Sequence, residues 1–304
     1  NYFERARKFR AKKRLGQNFL IDEGAVETIL DTSNITKEDV VVEIGPGLGF
    51  VTEHLVKLAK KVYAVELDED MVNELYKINA DNLEIIHKDI LKTDISQFGK
   101  NLKIVANIPY YITSPILAHL LGEVDEVENK NRQSINQIVL MVQYEVAKRL
   151  SANENSPSKE FGLLSILAQF WANIEFIKKV GAKSFFPAPK VNSAIVKLTV
   201  KNKPLLELSN YSFFRKVVKA CFATRRKNIK NSLVNAGFSK NAVEKTIEEL
   251  EINENLRGET LSIEKMGKLS EALKDTYHIE LNEFALQGFS TIGELVDTIW
   301  QEIV

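Results

Sequence analysis

Glycine recurs at every second position in Gly45-Pro46-Gly47-Leu48-Gly49, directly after the apolar run Val40–Ile44 and next to Glu43. Glycines at this spacing let a backbone turn tightly and approach a ligand closely. The pattern is G-x-G-x-G, not the dinucleotide fingerprint G-x-G-x-x-G, and many such loops are only turns. Two acids give it meaning. Glu66 closes the next apolar run 23 residues after Glu43, where a carboxylate can grip two ribose hydroxyls. Asp89 follows a third run, where a carboxylate can accept from an adenine amino group. Either acid alone reads more simply as a surface or capping group. The ordered trio of glycine turn, Glu66 and Asp89 describes an adenosine pocket. NAD and S-adenosylmethionine both carry that group. Pro46 in the loop and the lack of a P-loop lysine speak against cradled phosphates and favour S-adenosylmethionine.

The second informative stretch is Asn107-Ile108-Pro109-Tyr110. An exocyclic adenine amine is a poor nucleophile because its lone pair is delocalised into the ring. The Asn107 side-chain oxygen and the Ile108 carbonyl can hold its two N–H groups so that the lone pair faces a methyl donor. Pro109 fixes φ and stiffens the corner. Tyr110 can stack on the base, worth ~1–3 kcal/mol. A sulfonium is already an activated donor, so the work is positioning and electrostatics, with no strong general base. Alone, N-x-P-Y also describes a turn after a strand; its place after the fourth strand favours chemistry.

These residues need a scaffold. Val40–Gly45, Lys61–Leu67, Leu83–His87, Leu102–Ala106 and Ile138–Gln143 read as strands, with helical spacing over Phe50–Lys60 and Asp70–Asn79 between them. That alternation predicts a parallel sheet covered on both faces. Phe170–Ile177 and Ser193–Val200 read as strands that add an antiparallel edge. From Tyr211 the strand pattern stops: 211–222, 227–236, 240–250, 262–273 and 291–303 read as helices, with Gly237 and Gly258 as C-cap or turn residues. The boundary falls near Lys201–Ser209, giving a domain over 1–205 with a basic N-terminal arm, and a smaller all-helical domain over 206–304.

The chain has 304 residues, enough for about two domains. With 44% hydrophobic and 27% charged residues it has the mix of a globular protein, and no apolar run approaches the ~20 residues of a membrane helix. One cysteine, Cys221, excludes an internal disulfide, and with four scattered histidines argues against a metal site. Net charge is zero, yet residues 1–14 hold seven basic residues and one acid, 201–235 nine and one, and 236–304 six and fourteen. Such blocks hint at a polyanion partner, although a solvated surface accounts for them equally well. The Arg/Lys-rich start lacks the apolar core of a secretory signal and leaves a transit-peptide remnant open.

These motifs resemble the ribosomal RNA adenine dimethyltransferases, in particular their small-subunit, KsgA-type branch. The resemblance covers roughly residues 12–273 and begins at K-R-L-G-Q-N-F-L (13–20), where Gln17, Asn18 and Leu20 match cofactor-contacting positions. E-I-G-P-G-L-G, V-E-L-D, H-K-D-I-L and N-I-P-Y-Y-I-T-S-P-I follow in family order, which puts Glu43, Gly45, Gly47, Gly49, Glu66, Leu67, Asp89, Ile90 and Asn107 at the cofactor. Asn107, Ile108, Pro109 and Tyr110 take the target base. In F-F-P-A-P-K-V-N-S-A, Phe186 resembles the aromatic that flanks that base from the other side. F-A-T-R-R-K-N-I-K-N-S-L (222–233) and R-G-E-T-L-S (257–262) are similar to the branch's helical domain and unlike the large-subunit resistance branch.

The resemblance implies a Rossmann-like class I methyltransferase sheet that uses S-adenosylmethionine and no metal. It implies N6,N6-dimethylation of two adjacent adenines in a hairpin near the 3′ end of small-subunit rRNA, within a pre-ribosomal particle. A cytoplasmic, membrane-free monomer is expected. RNA binding would explain the charge blocks. Arg225, Arg226, Lys227 and Lys230 fall at helical spacing and read as a phosphate-binding face; Lys12, Lys13 and Arg14 read as an arm that orders on RNA. Two features depart from the pattern. Tyr111 stands where a small polar residue is common, and residues 275–304 extend past the family's usual end, reading as a structural cap. The other readings weighed are a resistance-type large-subunit enzyme, a non-catalytic assembly or transcription factor on the same fold, and a small-molecule or DNA methyltransferase. The long basic helical domain and the intact motifs disfavour all three.

Overall fold

The computed structural model of the chain describes residues 1–12, 15–224 and 226–288, with the backbone alone described at Tyr110 and over 278–288. Lys13, Arg14, Arg225, the Tyr110 ring, the helix expected over 291–303 and the end of the expected cap therefore lie outside the described residues. The chain divides into two compact units, Asn1–Leu205 and Leu206–Val304.

In the first unit the strands are β1 (Phe19–Leu20), β2 (Val40–Ile44), β3 (Lys61–Glu66), β4 (Leu83–His87), β5 (Leu102–Asn107), β6 (Ile135–Gln143), β7 (Ala172–Val180), β8 (Phe185–Phe186) and β9 (Ser193–Val200). The helices are α1 (Tyr2–Ala6), α2 (Glu23–Ser33), α3 (Thr52–Leu58), α4 (Glu69–Leu75), α5 (Thr113–Leu121), α6 (Lys130–Ser134), α7 (Tyr144–Ser151) and α8 (Leu163–Trp171). Seven strands form one sheet in the order β4-β3-β2-β5-β6-β9-β7. The first five run parallel, and β9 pairs antiparallel with both β6 and β7. Central strands are apolar on both faces, as burial under helices demands: Val41, Val42, Ile104, Ile138 and Leu140 are all inaccessible. The edge strand β7 instead exposes Asn173, Glu175, Lys178 and Lys179, which discourages edge pairing. Chain order reverses between β2 and β5, and the crevice at their carboxyl ends is where such sheets bind ligands.

The strand expected over Phe170–Ile177 starts two residues later. Leu163–Trp171 is helical, with Phe170 and Trp171 buried, and the chain turns into β7 at Ala172. A short apolar run cannot be divided between helix and strand by periodicity. The start of the basic N-terminal stretch, ahead of the Lys12–Arg14 arm, is packed on the first unit. Tyr2 stacks on Phe50 at 4.3 Å and its hydroxyl meets His54 Nε2 at 2.7 Å, while Arg5 pairs with Glu53 at 2.7 Å.

The second unit contains α9 (Tyr211–Ala223), α10 (Ile229–Asn235), α11 (Lys240–Glu249) and α12 (Ile263–Gly288). Asn210, Asn228 and Ser239 cap the first three, each accepting from the backbone N–H three residues on. Phe214, Val217, Ile229, Leu233, Val243, Met266, Leu269 and Leu273 form its buried core. One expectation is corrected here. The Asn228 cap delays α10 to Ile229, so Arg226 and Lys227 sit in the preceding turn and not on a helical face. Gly258 is a turn residue, one of the two roles expected for it. It opens a 3-10 turn pressed against α9, where an added Cβ would lie 2.1 Å from the Cys221 carbonyl oxygen.

Candidate active site

The cleft at the β2/β5 switch point is built from backbone turns that its side chains then hold. Beyond β2 the chain turns through Gly45, Gly47 and Gly49, all at positive φ. At Gly49 a side chain is excluded twice over, by φ +78° and by Ile78, whose Cδ1 would lie 2.8 Å from an added Cβ. Gly49 does not line the cleft; it lets the loop enter α3 over α4. Gly47 presents its N–H to Glu66 Oε2 at 3.0 Å. Glu66 Oε1 accepts from the N–H groups of Leu67 and Asp68 at 2.8 and 2.9 Å. Burial pushes the Glu66 carboxyl upward, and these three bonds work against it. A carboxylate offers about four acceptor sites, so Glu66 keeps capacity for a hydroxyl donor.

Glu43 is fully enclosed and accepts from the Thr52 hydroxyl at 2.6 Å. Burial pushes its carboxyl up to about 8, offset by the Thr52 bond and reinforced by nearby Glu66. It is therefore largely neutral at pH 7. Asp89 caps the turn Ile90–Lys92, with Oδ1 accepting from Leu91 N–H at 2.9 Å. The bland capping role is thus present at Asp89, beside its place on the cleft wall.

Of the residues singled out in the sequence, Gln17, Asn18, Leu20, Glu43, Gly45, Gly47, Glu66, Leu67, Asp89, Ile90, Asn107, Ile108 and Pro109 all line this one cleft. Asn107 ends β5, and Pro109 directs the chain into a 3-10 turn ahead of α5. Neither the Asn107 side-chain amide nor the Ile108 carbonyl has a hydrogen-bond partner among the described residues. The acceptor set therefore suits an adenosine group at the Glu66 and Asp89 end and a second amine at the Asn107 end. Phe186 is corrected. It pairs with Phe19 across β1 and β8, and its ring meets Phe3 edge-on at 5.4 Å. Its neighbour Phe185 lines the cleft instead, because adjacent strand residues face opposite ways. Tyr111, 61% exposed, forms part of the rim and packs on Gly16.

The basic residues divide. The Lys12 ammonium lies 2.5 Å from Asp68 and 2.6 Å from Asp70, so it is committed within the first unit. Lys230 lies 2.7 Å from Glu244 and 3.0 Å from Glu254, which neutralises it locally. Both are residues expected to contact RNA, and their carboxylate partners lie too far along the chain for local sequence to show them. Arg226 and Lys227 are exposed and have no carboxylate partner among the described residues. Asp68 carries no signal in the sequence beyond its place in V-E-L-D, although it holds Gln17 through a 2.5 Å bond to Gln17 Nε2. No three His, Cys, Asp or Glu side chains among the described residues are grouped to hold a metal, and no described helix is long and apolar enough to cross a membrane.

The model of the family "Ribosomal RNA adenine dimethylase" matches residues 8–275. Ribosomal RNA small subunit methyltransferase A of Clostridium botulinum (strain Kyoto / Type A2) is 42% identical over 274 residues, 88% of this chain and 95% of that one. Its counterpart in Clostridium perfringens (strain SM101 / Type A) is 38% identical over 270 residues, 87% of this chain and 91% of that one. Among solved structures, a dimethyladenosine transferase from Plasmodium falciparum superposes with TM-score 0.69 at 27% identity, over 85% of this chain and 98% of that one. The 23S rRNA methyltransferase ErmE gives 0.65 at 26%, over 84% of this chain and 100% of that one. The sheet order, the cleft at its switch point and these likenesses agree, and the chain belongs to the ribosomal RNA adenine dimethylase family.

Proposed function

We propose that this chain dimethylates N6 of two adjacent adenines in a hairpin near the 3′ end of small-subunit ribosomal RNA, acting as a monomer on a pre-ribosomal particle in the cytoplasm. The observation that carries the reading is the open acceptor pair, the Asn107 amide oxygen and the Ile108 carbonyl, in one cleft with the Glu66 carboxylate. S-adenosylmethionine, when bound, supplies an electrophilic methyl group on a sulfonium. Glu66 and Asp89 would hold its adenosine end, beside the Gly45–Gly47 turn, whose two glycines leave room for it. Asn107 and Ile108 take the N–H groups of the target amine and turn its lone pair toward the methyl carbon. Pro109 fixes the corner that carries both. The target base must leave its stack, at a cost of a few kcal/mol, which is least for an unpaired loop adenine. Arg226 and Lys227, with Arg225, hold phosphates and set register without reading sequence.

The test is methylation of undermethylated small-subunit particles with labelled S-adenosylmethionine, followed by nucleoside analysis. Dimethyladenosine in small-subunit RNA is expected; label in large-subunit RNA, or none, overturns the reading. Asn107→Ala should lower turnover about 100-fold or more while leaving both substrate affinities nearly unchanged, because the held amine matters most as it attacks.

A further inference from the structure

A closed ring of contacts ties the N-terminal arm to the turn behind Glu66. The Lys12 backbone N–H donates to Gln17 Oε1 at 2.8 Å. Gln17 Nε2 donates to Asp68 Oδ2 at 2.5 Å. The other oxygen, Asp68 Oδ1, takes the Lys12 ammonium at 2.5 Å, which brings the chain of contacts back to its start. Asp70 adds a second carboxylate to Lys12 at 2.6 Å. Asp68 is 3% exposed, and its own N–H donates to Glu66 Oε1 at 2.9 Å. One residue thus touches two walls of the cleft: its backbone steadies Glu66, and its carboxylate steadies Gln17 in the segment that leads into β1. Burial alone would raise the Asp68 carboxyl, but the bonds from Lys12 and Gln17 outweigh it and hold the group ionised, below the usual carboxylate range.

We infer that Asp68 is a positioning residue for the methyl donor and that Lys12 is the clasp that holds the N-terminal arm to it, an inference that rests on the methyl-donor reading of this cleft. Residues 15–20 form one side of the cleft through a two-residue strand, β1, whose partner β8 is equally short. So brief a ladder does not fix the segment by itself. The Lys12–Gln17–Asp68 ring supplies the missing constraint, and it does so at the level of Glu66, where the donor's ribose would lie. The role of Lys12 is therefore in cofactor affinity and not in RNA affinity.

The experiment uses the full chain and measures S-adenosylmethionine and S-adenosylhomocysteine binding by calorimetry, RNA binding across a salt series, and kcat and KM for each substrate. Lys12→Met should weaken both cofactor ligands about three- to tenfold and raise KM for S-adenosylmethionine alike. RNA affinity, the salt slope and kcat should stay unchanged. Lys12→Arg keeps both ion pairs and should restore near wild-type binding. Asp68→Asn should cost about tenfold or more, and adding Lys12→Met to it should cost little further, because the two act through one ring. Lys12 is part-exposed, so its variants stay folded and informative even if Asp68→Asn does not. A wild-type chain that binds no S-adenosylmethionine overturns the underlying reading. Wild-type binding with unchanged cofactor affinity in Lys12→Met overturns the clasp alone, and a salt slope lowered by about one in that variant assigns Lys12 to phosphate instead.

Discussion

The N-terminal arm and the turn between α9 and α10 are the two densest basic stretches of the chain, and the fold treats Arg5 and Lys12 of the first and Arg226 and Lys227 of the second oppositely. In the arm, Arg5 is paired with Glu53 and lies over the Phe50 ring, while Lys12 is paired with Asp68 and Asp70. In the turn, Arg226 and Lys227 face solvent without carboxylates among the described residues. An exposed cation with a carboxylate at hand spends its charge inside the molecule; one without a partner keeps it for a polyanion. Phosphate affinity scales with cations that displace counterions, so pairing separates Arg5 and Lys12 from Arg226 and Lys227, and we propose the turn as the RNA contact. Density of lysine and arginine in a sequence does not separate the two.

The largest effect that would sharpen this contrast sits on the cofactor side, at Glu43, an acid to which the arm lends no cation. Its folded value of about 8 lies above the ordinary value of 4.5, so the folded state binds more protons between those limits. Stability from this group is fully present below pH 4.5 and is lost as pH rises through 8. Each pH unit in that window costs at most ~1.4 kcal/mol, which sums to about 3–5 kcal/mol. Glu43→Gln keeps an acceptor for the Thr52 hydroxyl and removes the titration. Urea unfolding at pH 5, 7 and 9 should show a wild-type decline that the variant lacks; parallel declines would place the pH dependence elsewhere.

Next in size is Glu66→Ala. Losing the carboxylate removes its bonds to the donor and leaves the Gly47, Leu67 and Asp68 N–H groups unsatisfied. S-adenosylmethionine affinity should fall by ~1.5–3 kcal/mol, roughly ten- to hundredfold. RNA affinity and its salt slope should not change. A variant that loses both equally would show that cleft and turn are not separable functions.

Much of this division is legible in the sequence, and the exceptions share a cause. The strands over 61–66, 83–87 and 193–200 follow from apolar runs ending in charged or glycine residues, and the cleft follows from motifs that each sit at a strand's carboxyl end. Glu66, Asp89 and Asn107 stand out because their types and order fit one ligand. Phe185 and Phe186 cannot be told apart from the sequence, since which ring faces the cleft depends on the register with Phe19–Leu20, a pairing across more than 160 residues. The pairing of Lys230 with Glu244 and Glu254, and of Lys12 with Asp68, is tertiary in the same way. Helix α2, which lies outside the quoted motifs, carries no such chemical signal.

On the RNA side, Arg226→Ala with Lys227→Ala should reduce the slope of log K against log salt by about two, one for each phosphate no longer neutralised. Near physiological salt this is a loss of roughly tenfold in affinity for a small-subunit RNA fragment. Calorimetry with S-adenosylmethionine should be unaffected. An unchanged slope would return the turn to the status of a solvated surface and leave the contrast with one side only.

The smallest effect is expected at Lys230, two residues into α10 and close in sequence to both predicted contacts. Its ammonium lies between Glu244 and Glu254, so the three side chains together carry a net negative charge and offer nothing to a phosphate. Hydrogen bonds from the ammonium to the two carboxylates hold its proton more firmly than usual, consistent with a lysine used for local pairing. Lys230→Gln should therefore leave the RNA salt slope unchanged and shift affinity by less than about twofold, where a phosphate contact would remove about one unit of slope. The same substitution should lower the unfolding midpoint slightly, because α10 loses its tie to α11 and to the 253–256 turn. A full unit of slope lost at Lys230 would mean that RNA draws the lysine away from both glutamates, and that pairing in the free protein does not decide which cations serve the substrate.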